Sequence, residues 1–115
     1  CKSSCGWPGK ATLKKGPFWS CSSSNTILND GGQTQSYCAG GTAFACSFEQ
    51  PWAVNSSVAY GYIAITINGQ TEADWCCSCY ELTFTDGAAK GQKLIAMATN
   101  TGDDSNGATA IDINI

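Results

Sequence analysis

The chain has 115 residues and a net charge of −3, with six lysines, no arginine, nine carboxylates and no histidine. Without imidazole there is no Ser-His-Asp or Cys-His nucleophile pair and no His-ligated zinc. Without arginine, and with an acidic balance, nucleic acid and anionic membranes are not expected partners. Any acid–base chemistry must rest on carboxylates.

Apolar residues make up 43% of the chain, enough for a core. Charged residues reach only 13%, about half the usual share of about 25%. Thirteen glycines and stretches of Ser, Thr, Asn and Gln fill the difference. This is the profile of a loop-rich, extracellular all-β protein, and the length suits one unit, residues 1–115. Eight cysteines read as a disulfide framework, for which about 105 connectivities exist. The chain opens on Cys1 with no signal sequence, initiator Met or membrane run, so it is expected to be a trimmed segment of a secreted protein. Asn55 heads an N-S-S glycosylation sequon, a pattern common by chance.

In chain order, "CKSSCGWPGKATLKKGPFWSCSSSNTILND" is rich in turn formers and should be irregular. "GGQTQSYCAGGTAFAC" continues in the same manner, pinned by Cys38 and Cys46. "VAYGYIAITI", Val58 to Ile67, predicts a strand that Asn68-Gly69 closes as a turn. "TEADW" predicts one helical turn capped by Thr71. "CYELTFT" alternates, with Cys79, Glu81, Thr83 and Thr85 on one face and Tyr80, Leu82 and Phe84 on the other. "KLIAMAT" predicts a buried strand, and the polar loop "NTGDDSNG" leads into a last strand, "ATAIDINI". There Ile111, Ile113 and Ile115 share a face opposite Asp112 and Asn114. Short strands joined by long cysteine-pinned loops predict a barrel or sandwich. The chain ends in mid-strand at Ile115, which a natural domain rarely does.

Cys76, Cys77 and Cys79 crowd ahead of a strand. The C-x-x-C of Cys76 and Cys79 lacks a matching second pair for zinc, and a redox site would precede a helix. Disulfides are therefore the preferred reading. Strand parity places Cys77 and Cys79 on one side and Cys76 on the other, so three separate partners are expected. Asp112 reads either as part of a solvated strand face or as a cleft carboxylate; two carboxyl groups flanking a glycosidic bond need neither histidine nor metal. "DDSNG" lacks the spacing and terminal Glu of a calcium loop and predicts a turn. Trp7, on a loop fixed by Cys5, suits either a core plug or a sugar-stacking platform. Trp19, Trp52 and Trp75, beside Cys or Pro, are expected in the core.

Together, "CKSSCGWPGKA", "GGTAFACSFEQPWAVN", "EADWCCSCYELTF" and "TNTGDD…AIDINI" resemble glycoside hydrolase family 45, the inverting endo-β-1,4-glucanases. The resemblance runs from Cys1 to Ile115 and implies a partial six-stranded double-psi β-barrel crossed by a groove for a cellulose chain. It implies Asp112 as the general acid, Asp104 as an acidic residue on a neighbouring loop, Trp7 as a groove aromatic and Ala64 as a groove-floor position. It implies a monomer secreted to the extracellular space, acting on β-1,4-glucan with no cofactor. It further implies Cys1–Cys38, Cys5–Cys76 and Cys21–Cys46, with Cys77 and Cys79 pairing in a lobe beyond Ile115.

Two departures stand out. Ala110 replaces a histidine frequent in the family two positions before the acid. The family's catalytic base lies in a Y-W-D-C-type motif expected just ahead of Cys1, and Glu49, Glu72, Asp74, Glu81 and Asp86 do not match it. The isolated segment is accordingly expected to be inactive. The rivals are an expansin-type, non-hydrolytic wall-loosening protein and a non-catalytic carbohydrate-binding or inhibitor-like barrel.

Overall fold

The computed structural model describes residues 1–102 and 108–115. The first half is irregular, as its turn-forming composition requires. It holds three single 3₁₀ turns, Ser4–Gly6, Tyr37–Ala39 and Ser47–Glu49. Order comes instead from two disulfides, Cys1–Cys38 and Cys21–Cys46, and from isolated bridges such as Cys21 with Phe44. A third disulfide, Cys5–Cys76, ties this half to the sheet.

The strands follow the β-branched and aromatic runs. They are β1 (Trp52–Ala53), β2 (Val58–Thr66), β3 (Cys79–Thr83), β4 (Lys93–Asn100) and β5 (Ala110–Ile113). The single helical turn α1, Glu72–Trp75, starts at Thr71, whose backbone N–H and hydroxyl both donate to the Asp74 carboxylate. Gly69, at φ 80°, closes the turn after β2 in a conformation a side chain would resist. Strand β1 was not foreseen from the sequence. It is only two residues long, too short for any period to register.

The strand order is β1-β2-β4-β3, with β5 also on β2. β2 pairs parallel to β4 and antiparallel to β1 and β5, while β3 runs antiparallel to β4. The all-β expectation holds. Among the described residues the sheet stays open, since no ladder joins β3 to β1 or β5.

Ile63, Ile65, Leu94, Ala96 and Ala98 form the core with Phe18, Trp75 and the Cys5–Cys76 bridge. Burial of an aliphatic side chain such as Ile63 contributes roughly 1.5–3 kcal/mol. Tyr80, Leu82 and Phe84 pack against it, as the alternation in β3 predicts. Two of the three tryptophans expected in the core are elsewhere: Trp19 is 56% exposed and Trp52 46%. Both sit edge-on to other aromatics, Trp19 against Phe48 and Trp52 against Tyr60, on an open face of the molecule. A neighbouring Cys or Pro constrains the backbone but does not choose the face. Only Trp75 is buried.

The cysteine cluster resolves as expected in outcome and differently in cause. Cys76 bonds Cys5, and Cys77 and Cys79 are free. However, the strand begins only at Cys79, and Cys77 has φ 63°, so two-residue parity does not reach it. A left-handed residue re-aims the chain between Cys76 and Cys79. Burial pushes the Cys77 thiol up, and the nearby Cys79 adds to the effect.

Thiol titration of the unfolded, unreduced 115-residue chain should therefore find two thiols, mapping to Cys77 and Cys79; none or four would contradict the pairing. Replacing Cys5 and Cys76 by Ser opens a loop with a sequence separation of 71. By loop entropy this should cost about 4 kcal/mol in denaturant unfolding.

Candidate active site

Strand β5 exists because β2 offers it an edge. The antiparallel register places Ile63 against Ile113, Ala64 against Asp112, Ile65 against Ile111 and Thr66 against Ala110. Directly opposed residues in an antiparallel pair project to the same side, so the Asp112 and Ala64 side chains are neighbours. Asp112 is exposed, while Ala64 is buried. On the opposite face only Ile113 packs against the core, and Ile111 is partly out.

The Asp112 carboxylate rests on Gly102. A methyl group built at Gly102 would lie 2.9 Å from Oδ2 of Asp112, closer than real side chains approach. Gly102 is buried and held by β2: its N–H donates to the Ile65 carbonyl at 3.4 Å, and its carbonyl accepts from the Thr66 hydroxyl. β2 thus holds both the strand that carries Asp112 and the glycine beneath its carboxylate.

The loop bearing Gly102 is tied to the turn bearing Trp7. Ser4 N–H donates to Oδ1 of Asn100 at 2.8 Å, and the Ser4 and Thr101 hydroxyls lie 3.1 Å apart. Thr101 donates to Glu72 at 2.8 Å, and the other Glu72 oxygen pairs with Lys10 at 2.9 Å. Trp7 ends the Ser4–Gly6 turn and is half-buried. The Lys2 ammonium sits 5.5 Å from its ring centroid, an attractive cation–π geometry. Lys2 is itself buried and donates to the Gly32 and Thr34 carbonyls at 2.5 and 2.8 Å. Burial lowers its pKa, and the Asp30 carboxylate partly opposes this.

The structure thus sets Ala64 beside Asp112 and links the Trp7 turn to the Gly102 loop through Ser4, Asn100 and Thr101. Asp104 lies outside the described residues.

One charged residue passed over in the sequence is prominent in space. Glu49 is 2% exposed. Its carboxylate accepts from the Cys46 N–H at 3.0 Å and from Ser3 Oγ at 3.0 Å. It also accepts from Thr99 Oγ1 at 3.2 Å and Asn114 Nδ2 at 3.1 Å. Thr99 can reach it because the β2–β4 register jumps from Ala98 to Asn100 as β2 advances from Ile63 to Ala64. Thr99 is the extra residue of this bulge, turned out of the ladder. Glu49, Ser3, Asn100 and Asn114 also line a polar cavity of about 260 Å³. The linear pattern around Glu49 does not signal its burial, since only Cys46 is local and its other three partners come from distant segments.

The chain belongs to a family of polysaccharide-cleaving enzymes, glycosyl hydrolase family 45, whose model matches residues 1–115. It is 46% identical over 107 residues to an endoglucanase of Cryptopygus antarcticus, covering 93% of this chain and 46% of that protein. An endoglucanase of Phaedon cochleariae is 38% identical over 106 residues, covering 90% of this chain and 43% of that protein. The crystal structure of the cellulase from the Antarctic springtail Cryptopygus antarcticus superposes with a TM-score of 0.87 at 42% identity. That match covers 98% of this chain and 52% of the springtail chain. The chain spans less than half the length of these curated relatives.

Two expectations follow from the geometry. Gly102→Ala drives a methyl into the Asp112 carboxylate; in the full-length protein it should lower kcat by roughly tenfold or more with little change in melting temperature. Unchanged kcat would show that the carboxylate does not need this seat. For Glu49, burial raises the carboxyl pKa, against the opposing hydrogen bonds from Cys46, Ser3, Thr99 and Asn114. The folded state therefore takes up this proton at higher pH than the unfolded state. The burial cost is full above the raised value and shrinks as pH falls toward the ordinary 4.5. Relative to Glu49→Gln, the parent should gain stability in denaturant unfolding as pH is lowered through that window; the opposite trend would contradict the assignment.

Proposed function

We propose that the protein carrying this chain is an endo-β-1,4-glucanase that cleaves cellulose chains internally with inversion, Asp112 being the general acid. The observation that carries this reading is the seat of Asp112: an exposed carboxylate on a paired strand, flanked by Ala64 and Gly102, two of the smallest residues. A bulky sugar ring can approach such a carboxylate, and a carboxylic acid there can protonate a leaving glycosidic oxygen. The family match and the endoglucanase names of the relatives support the substrate class and favour hydrolysis over a wall-loosening role.

In this reading Trp7 stacks on a glucose ring from the turn tied to the Gly102 loop, and Ala64 keeps the groove floor low. Asp104, which the resemblance makes a second acidic residue near the acid, lies outside the described residues. Inversion needs a second carboxylate roughly 6.5–9.5 Å across the bond to activate water. Glu49 is occupied by four donors and Glu72 by Lys10 and Thr101, so neither is free for that task. With neither of these carboxylates available as the base, the 115-residue chain by itself should release little or no reducing sugar from soluble cellulose.

An extracellular setting fits three disulfides in so short a chain, because such bonds persist in oxidising compartments. Among the described residues no helix is long and apolar enough to cross a membrane. We take the enzyme to be secreted and monomeric, with neither nucleic acid nor membrane as partner, and to work without a cofactor.

Asp112→Asn in the full-length protein tests the assignment. Turnover of a soluble β-1,4-glucan should fall by at least about 10²-fold, the usual worth of a general acid, with glucan binding retained. Turnover near the parent's level would remove Asp112 from the mechanism.

A further inference from the structure

The Glu49 carboxylate is an expensive object for a small protein. It is buried, and the groups that bond it are neutral: two hydroxyls, a backbone N–H and a carboxamide. The Tyr62 phenol senses it: burial and Glu49 both raise its pKa. A buried charge with no countercharge contributes little to stability, since its desolvation offsets much of what its hydrogen bonds return. It does impose geometry. An ionised carboxylate is acceptor-only, so each of its four donors must point inward along a fixed direction.

Those donors come from four places. Ser3 precedes the Trp7 turn, Cys46 opens the Ser47–Glu49 turn, Thr99 is the bulged residue of β4, and Asn114 follows β5 directly. Asn114 lies two residues beyond Asp112, hence on the same face of the extended chain. Among the described residues β5 has a single strand neighbour, β2, and four paired residues. Past Ile113 the chain is held by the Asn114 N–H on the Tyr62 carbonyl at 3.1 Å and by the Asn114 carboxamide on Glu49.

We propose that Glu49 is a positioning residue: by clamping the Asn114 side chain to the β4 bulge and the N-terminal turn, it sets the rotation of β5 and so the placement of the Asp112 carboxylate. The inference rests on the reading of Asp112 as the acid. Glu49 does not touch substrate in this scheme; it acts through Asn114.

The test uses the full-length protein and a soluble β-1,4-glucan oligosaccharide of defined length. Asn114→Ala, at a half-buried strand end, leaves the core untouched. It should reduce kcat by roughly 10- to 100-fold, the cost of a misplaced catalytic group. KM should stay within about twofold, because binding contacts remain. Glu49→Gln keeps the shape and one acceptor oxygen, and should lose less kcat than Glu49→Ala. The Glu49→Gln/Asn114→Ala double variant should lose no more than the worse single, as members of one unit do.

Parent-like kcat in Asn114→Ala, with or without a lowered melting temperature, would overturn the proposal and leave Glu49 a structural residue. Additive losses in the double variant would overturn it as well. If the Glu49 variants fail to fold, Asn114→Ala alone decides. Asp112→Asn is measured alongside: if it retains turnover, the acid assignment fails, whereas an inactive Asp112→Asn beside a fully active Asn114→Ala refutes only the positioning role.

Discussion

The β2–β5 ladder is the constraint on which the site depends. Among the described residues β5 has no other strand partner, so its four-residue register with β2 decides where Asp112 stands. Side chains alternate with a period of two, and a slip of one residue would carry Asp112 to the face now held by Ile113. β2 is hard to shift because its other edge is locked to β4 over most of its length, with Ile63 and Ile65 buried against that sheet. The same strand fixes Gly102 through Ile65 and Thr66. Asp112 and its seat therefore move together or not at all, which a carboxylate on a free loop could not achieve.

Around that ladder the irregular first half of the chain is held by chemistry rather than by repeated structure. Two buried charges do much of this. Lys2 spends its ammonium on two carbonyls and the Trp7 ring; Glu49 spends its carboxylate on four neutral donors. The residues adjoin in sequence terms through Ser3, which bonds Glu49 while Lys2 turns to the other side. Among the described residues neither charge is bonded by an opposite one. Each thus acts as a multi-pronged anchor for loops that lack ladders, one under Trp7 and one beyond Asp112. Disulfides restrict how far those loops can wander, and the anchors specify where they stop.

Much of this was legible in the sequence, for reasons that can be named. Alternation in β3 and the buried run of β4 are period signals, and both held. Parity on the last strand set Asp112 opposite the isoleucines, and the structure pairs it with Ala64 on that side. Where local rules failed, a single residue broke the premise. Cys77 at positive φ stopped the parity count one step short of the strand, although the three disulfides and two free thiols came out as the resemblance implied. Trp19 and Trp52 were misplaced because proximity to Cys or Pro says nothing about burial. Glu49 and Gly102 were invisible for a deeper reason. Glu49 draws three of its four partners from 46 to 65 residues away, and Gly102 acts through a side chain that is absent; neither leaves a periodic trace.

That last point bears on how the site is shaped. Beside Asp112 the chain supplies a methyl at Ala64 and a bare backbone at Gly102, so the space for a ligand is made by omission. Elsewhere on the sheet the reverse holds: Trp52, Tyr60, Tyr62 and Met97 crowd another surface depression with Cys79. Both belong to the same β2, which is aromatic at Tyr60 and Tyr62 and small at Ala64. The β4 bulge falls at this change, between Ile63 and Ala64. An extra residue there lets one strand serve an aromatic surface at one end and a carboxylate at the other, while Thr99 turns aside to meet Glu49. The bulge thus joins the two ends of β2 to the buried anchor, and the geometry of Asp112 follows from all three.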